Sequence, residues 1–390
     1  MIQQCILIFT LAILLVYFSI RKIIVISFRK NLFDNPTEGR KVHLSKTPNL
    51  GGIAIFTGIL LVSALFIPFE RTAHPNILLA AIVLLSTLGI TDDLIGVDPL
   101  KKIGVQLLIA SLVVVVGEFR FIDFDFLPGT RQLSYGLSAG LSILFITFVM
   151  NAFNLLDGID CLAGSISMGA FCCFGFLFLQ LHEYSFLLLC IGMVGCLCSF
   201  LYFNFTPARI FMGDTGALLI GFLLAVCSIR FVNANYQADN LITDGIFHAP
   251  WAIVLSLMAV PVFDTLRIFG VRIIQKQHPF KADRNHIHHR LLKLGFTHLR
   301  ATAVLLLFNS ALVGLTILLA DWGSLQIVVM LTAICLGSNA WLSFLIQQAS
   351  RQRKEKDREQ ARLSSKSIFA ATPGNFSQEI SESVNVNKAG

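Results

Sequence analysis

The chain has 390 residues, of which 55% are hydrophobic and only 14% charged, with a mean hydropathy of +0.75 and a net charge of +7. A water-soluble domain of this length does not carry so few charges, which excludes an ordinary soluble enzyme. The positive charge lies in short loops rather than in a basic domain. That excludes nucleic acid as a partner and suits anionic headgroups or phosphates.

Apolar stretches of bilayer-spanning length recur along the chain. Eleven are predicted, at 2–20, 50–68, 76–91, 100–117, 135–156, 161–181, 185–203, 215–232, 249–269, 301–320 and 325–347. The third and fourth are short. The expected fold is an all-α polytopic membrane protein with about eleven transmembrane helices and its polar chemistry in the loops. Residues 1–349 form the membrane domain in this reading. Residues 350–390 form a charged, disordered cytoplasmic tail, whose opening RQRKEKDREQAR extends the last helix as a solvated stub. The first segment lacks a basic leader and a small-residue cleavage site, so it reads as an uncleaved span.

Of the 30 Lys and Arg, only Arg71, Arg120, Arg131 and Arg230 fall on one side of these spans. The positive-inside rule places that side outside the cell, with the N-terminus, and puts the C-terminus in the cytoplasm. The nine cysteines lie almost all within apolar segments and form no C-x-x-C pair. They read as small apolar residues at helix interfaces, with Cys172–Cys173 as a remote redox alternative.

Each basic-side loop carries polar residues that an apolar bundle does not need. KVHLSKTPNLGG (41–52) supplies Lys41, His43 and Lys46, either as positive-inside residues or as an anion site. TDDLIGVDPLKK (91–102) sets Asp92 beside Asp93 at the end of a span. Two adjacent carboxylates at a bilayer boundary repel one another, so they either pair with the following lysines or serve a metal or a proton. Asp98 before Pro99 reads as a helix N-cap. In NAFNLLDGIDCLAG (151–164), Asn151 and Asn154 share a helix face, Asp157-Gly158 breaks the helix and Asp160 starts the next. These groups either cap the helices or cradle a nucleotide and its metal.

NFTPARIFMGDTGA (204–217) places Asp214 at a helix start, where backbone N–H groups favour phosphate. A carboxylate there acts as an N-cap, as a ligand of a divalent cation that bridges to phosphate, or as both. Phe211 offers a flat face to a base. In HPFKADRNHIHHRLLKLG (278–295), His286, His289 and Arg290 fall on one face of a short helix. Neighbouring arginines favour a diphosphate clamp there over zinc, with a solvated basic loop as the other reading. Asp264 and Arg267, one turn apart, read as a structural ion pair.

In their order along residues 40–300, DDLIG, NAFNLLDGIDCLAG, NFTPARIFMGDTGA and HIHHR resemble the polyprenyl-phosphate N-acetylhexosamine-1-phosphate transferases, glycosyltransferase family 4. HIHHR, with PFKADRNH before it, is similar to the branch that acts as undecaprenyl-phosphate N-acetylglucosaminyl 1-phosphate transferase in making surface polysaccharides and teichoic acids. The resemblance implies UDP-GlcNAc and undecaprenyl phosphate as substrates, a bacterial cytoplasmic membrane, and a homodimer as one assembly. It implies magnesium, with manganese as the alternative, held by Asp214 and Asp93. It implies Asp92, Asp93, Asp157 and His289 as catalytic groups. Lys46, Asn151, Asn154, Asp160, Phe211, His286, His288 and Arg290 would line the substrate site. Cys161 departs from the pattern: the family usually has glycine there, and the expected effect is on packing.

On the residues alone two other classes stay open. A secondary transporter places its charges near the midplane of broken helices rather than at one face. A structural membrane protein has no need of the acids. If the four blocks share the cytoplasmic face, impermeant thiol reagents applied to intact cells leave cysteines introduced near positions 95, 210 and 285 unlabelled. Efficient labelling of any one would separate the blocks.

Overall fold

A computed structural model describes residues 1–32, 47–68, 74–122, 124, 133–239, 247–276 and 285–370. Helices α1 (Ile2–Lys30), α2 (Gly51–Phe66), α3 (Pro75–Ile95) and α4 (Pro99–Ser111) come first, α4 ending in a π-turn at Leu112–Val116. Then follow α5 (Tyr135–Leu156), α6 (Leu162–Gln180), α7 (Tyr184–Asn204) and α8 (Gly213–Asp239). The last are α9 (Pro250–Leu257), α10 (Ala259–Ile274), α11 (Ile287–Lys293), α12 (His298–Leu318) and α13 (Ser324–Ala370).

Helices occupy all eleven predicted segments, the ninth as a bent pair. Among the described residues nine helices are long and apolar enough to cross a membrane, ten if the bent pair is one span. With 16 residues, α2 is a shorter apolar helix. Asp98 caps α4 as its sequence suggests, accepting from the N–H groups of Leu100 and Lys101.

One compact unit covers Met1–Cys335. Within it α8 is the central helix. In α8, 94% of the most apolar window is buried, against 22% in α1. A helix that is apolar all round demands neighbours on every side, and α8 packs against α2, α3, α5 and α6. Its first turn therefore meets several other helix ends at once.

Three boundaries differ from the expectation. The first helix continues to Lys30 instead of ending near 20. The last continues through the charged stub, as expected, and on to Ala370, so residues 363–370 are helical rather than disordered. The stub is rich in Arg, Lys, Glu and Gln, all good helix formers. Positions 371–390 lie outside the described residues.

The third difference is the ninth span, which breaks at Met258 into α9 and α10, bent by 79°. Pro261 explains the position of the break. It has no N–H, and its ring would clash with the carbonyl of Leu257 four residues earlier. The break exposes backbone groups, and Asn309 of α12 satisfies two of them. Its Oδ1 accepts from Val260 N–H (3.1 Å) and its Nδ2 donates to the Leu257 carbonyl (3.2 Å). Asn309 is buried, so Asn309→Leu strands both groups, at about 1–3 kcal/mol for each. Thermal denaturation in detergent should show a clearly lowered midpoint for Asn309→Leu. An unchanged midpoint would mean that the break holds itself.

Candidate active site

The site begins at the first turn of α8. Asp93, from the last turn of α3, accepts the Asp214 N–H on Oδ1 (2.7 Å). Its Oδ2 accepts the Thr215 N–H (3.0 Å) and the Thr215 hydroxyl (2.6 Å). A carboxylate at the positive end of a helix, bonded to otherwise unpaired N–H groups, is a strong cap. The approach depends on Gly89, one turn before Asp93: a Cβ there would collide with the Thr215 backbone. Asp93 thus does the capping that the sequence offered to Asp214.

Relieved of capping, the Asp214 carboxylate turns into the bundle. Its Oδ1 accepts from Asn154 Nδ2 (2.6 Å), and its Oδ2 forms an ion pair with Lys102 Nζ. Lys102 also pairs with Asp92 Oδ2 (2.7 Å), while Asp92 Oδ1 takes the Val97 N–H (2.7 Å). One ammonium therefore bridges two carboxylates, with α3, α4, α5 and α8 each contributing a residue. The pairing of acid with lysine, one of the two readings of the adjacent acids, is the centre of the cluster. Lys102 was not singled out in the sequence, because two lysines at a helix start look like positive-inside residues.

Asn151, also expected at the substrate site, makes its contacts apart from the acids. It lies one turn deeper than Asn154, donating to Gln106 Oε1 (2.6 Å) and to the Thr147 carbonyl (2.8 Å). It joins α5 to α4 rather than reaching the acids. The signal for this pair is Lys102 and Gln106 at i, i+4, on one face of a largely apolar helix.

Asp157 ends α5 with ψ 60° and lies beside the Gly213 N–H. Burial, reinforced by the Asp214 and Asp93 carboxylates, pushes its carboxyl up to about 7. Asp160, expected to line the substrate site, makes its contacts on another side, toward α12. It is buried, its Oδ1 lies 3.4 Å from His298 Nδ1, and its carbonyl accepts the Thr302 hydroxyl (2.9 Å). It ties the turn to α12. Cys161 stands at φ 65°, in the left-handed region. The departure from glycine therefore bears on backbone conformation, at about 1–2 kcal/mol, and not on packing alone. Its N–H donates to Asn204 Oδ1 (2.8 Å), which helps hold the strained residue.

The histidine helix α11 hangs from α10. Asp264 pairs with His286 Nδ1 (2.8 Å), accepts the Ile287 N–H (3.0 Å) and pairs with Arg267 (2.8 Å). Arg267 donates in turn to the Asn285 carbonyl. The ion pair expected between Asp264 and Arg267 exists, and it also anchors the start of α11. His286 and Arg290 are buried, so His286 serves as an anchor instead of an open ligand contact.

His288 is fully enclosed and lies against Gly158, where a Cβ would strike its ring. Burial, with His289 and His286 close by, holds its imidazole down at about 3, so it is neutral near pH 7. Neither of its ring nitrogens has a hydrogen-bond partner among the described residues. His289, half-buried, packs on it with ring centroids 4.3 Å apart. It is the most accessible histidine of the block. The Gly158 contact brings this block to the turn that carries Asp157, and so beside the acids.

Phe211 is half-buried in the loop before α8. Its N–H donates to the Pro48 carbonyl and its carbonyl accepts from Gly51 N–H (both 2.9 Å), and Met212 likewise accepts from Gly52 (2.7 Å). The segment entering α2 is thereby pinned along the segment entering α8. Lys46, expected to reach the site, lies outside the described residues.

Asp92, Asp93, Asp157 and Asp214 are hard oxygen donors, and Lys102 is the ammonium partner of Asp92 and Asp214. Such a cluster can take a hard divalent cation or a phosphate brought in with one. Among the described residues no three His, Cys, Asp or Glu form a ready-made metal cage. Magnesium does not need one, because it keeps waters and binds through one or two carboxylates plus substrate phosphates.

A family model described as glycosyl transferase family 4 matches residues 76–232, the stretch from α3 into α8 that carries these four acids. A Bacillus subtilis protein named a probable undecaprenyl-phosphate N-acetylglucosaminyl 1-phosphate transferase is 31% identical over 288 residues, 73% of this chain and 76% of its own length. The decaprenyl-phosphate N-acetylglucosaminephosphotransferase of Mycobacterium tuberculosis is 31% identical over 323 residues, 76% of this chain and 78% of its own. The undecaprenyl-phosphate alpha-N-acetylglucosaminyl 1-phosphate transferase of Yersinia pestis is 29% identical over 295 residues, 74% and 77% of the two chains. With acids gathered at one end of a helical membrane bundle and relatives this similar over three quarters of both chains, the protein belongs to glycosyl transferase family 4.

Proposed function

We propose that this protein transfers N-acetylglucosamine 1-phosphate from UDP-GlcNAc to undecaprenyl phosphate at the cytoplasmic face of a bacterial inner membrane. A phosphate oxygen of the lipid attacks the β-phosphorus of UDP-GlcNAc. The bond from that phosphorus to the bridging oxygen breaks, and the electron pair leaves with UMP. The product is the diphosphate-linked lipid sugar that starts a surface polysaccharide. The names of the relatives support the reaction. The mycobacterial relatives make decaprenyl phosphate the alternative acceptor.

The observation that carries this reading is the Asp92–Lys102–Asp214 bridge at the capped start of α8. Three phosphates crowd one centre in such a reaction, and their repulsion is the main obstacle. Lys102 supplies a fixed positive charge. By capping α8, Asp93 leaves the Asp214 side chain to meet Lys102 and Asn154. Magnesium was expected on Asp214 and Asp93; because both Asp93 oxygens are taken by the first turn of α8, Asp214 would hold it with Asp157 instead, and bound magnesium would neutralise diphosphate charge. Asn154 orients Asp214, and His289 faces the donor. A lipid phosphate is already ionised near neutral pH, so a general base at Asp92 is a modest contribution.

Purified protein in detergent, given UDP-GlcNAc, undecaprenyl phosphate and magnesium, should release UMP, and Asp214→Asn should abolish that release while the protein stays folded. Wild-type protein that releases no UMP with either lipid would overturn the assignment. The histidines should separate in kind. His286→Ala removes the Asp264 anchor, so it should lower the thermal midpoint as well as activity. His289→Ala should leave the midpoint near wild type and lower kcat/KM for the nucleotide sugar. Equal loss of stability in the two variants would make His289 structural.

A further inference from the structure

The face shared by α1 and α7 carries a feature that the acid cluster does not use. A groove of about 660 Å³ runs along the end of α7, with Cys198 and Leu201 at one end, Tyr202 and Phe205 along it, and Arg209 at the other. Its apolar end lies within the helix, and its cationic end lies beyond the helix C-terminus at Asn204. Apolar depth with charge at the mouth is the polarity of a membrane lipid.

Arg209 is held in place before any ligand arrives. Its guanidinium lies 5.2 Å from the Tyr202 ring centroid and 5.0 Å from that of Phe203. Among the described residues no carboxylate forms an ion pair with it. Tyr17 of α1 packs on both of those rings and carries Arg21 at 5.9 Å. Two arginines thus share one aromatic cluster. Tyr202 is 59% exposed and Phe205 56%, which suits side chains at the level of lipid headgroups. A smaller groove of about 220 Å³ on α1 repeats the pattern, running from Leu11 and Leu14 past Phe18 to Lys22.

We propose that this face binds an anionic glycerophospholipid, with its phosphate on Arg209, Arg21 beside it, and an acyl chain in the groove along Tyr202 and Leu201. The inference does not rest on the transferase reading, because none of these residues belongs to the acid cluster or the histidine helix.

Native mass spectrometry of the full chain from micelles holding equal phosphatidylglycerol and phosphatidylcholine tests it. Phosphatidylglycerol should be retained preferentially. Arg209→Gln should cut that preference about fivefold, the weight of one interfacial cation. Lys354→Gln, which removes an exposed cation on α13, should leave it unchanged. Tyr202→Ala should reduce retention of both lipids by stripping the groove wall. Equal retention of the two lipids by wild type, or equal losses in Arg209→Gln and Lys354→Gln, would refute the site. Displacement of the lipid by millimolar inorganic phosphate would make it a free-anion site. A dimer that forms only without bound lipid and is lost in Tyr202→Ala would make it an interface between copies. Either of these results also overturns the proposal.

Discussion

The bond of Asp93 to the first turn of α8 is the constraint on which the site depends. The start of a helix presents unpaired N–H groups and positive potential, and some acceptor must meet them. If no other residue did so, the Asp214 side chain would fold back as its own cap. With Asp93 in that place, Asp214 is free to meet Lys102 and Asn154. The adjacent acids therefore divide their work. Asp93 fixes backbone, and Asp92 shares an ammonium with Asp214.

A second half of the site is built from a different direction. Pro261 breaks a span, Asn309 satisfies the broken ends, and α10 leaves at a steep angle carrying Asp264. Asp264 then sets His286 and the start of α11. The two halves touch where His288 lies on Gly158. A neutral imidazole suits that place, since a charged ring would add repulsion among the neighbouring histidines and Arg290.

The spans were legible because a bilayer imposes a length and a polarity that composition reveals directly. Hydropathy does not register geometry, so the break at Met258 stayed hidden although Pro261 stood in plain view. The acids were legible as a cluster because burying them is costly. Their division of labour was not, because a cap made by a residue far away in sequence leaves no local pattern. The histidine block was legible only in part for a similar reason. Spacing put His286 and His289 on one face, but α11 begins only at Ile287 and Asp264 claims His286.

The separation of these partners along the chain has a consequence for synthesis. Lys102 follows Asp92 closely, so the hairpin of α3 and α4 can enter the membrane with one acid already neutralised. Asp93 has no such neighbour, and the backbone amide it caps lies 121 residues downstream. Until α8 is translated, that carboxylate must stay hydrated or take up a proton. The arrival of α8 then brings its first turn onto Asp93 and draws that carboxylate out of water in the same event. Insertion of the eighth helix is thus the step that assembles the acid cluster. A chain stalled before it would present an unfinished helix packing and an uncapped acid to the membrane's quality-control proteases.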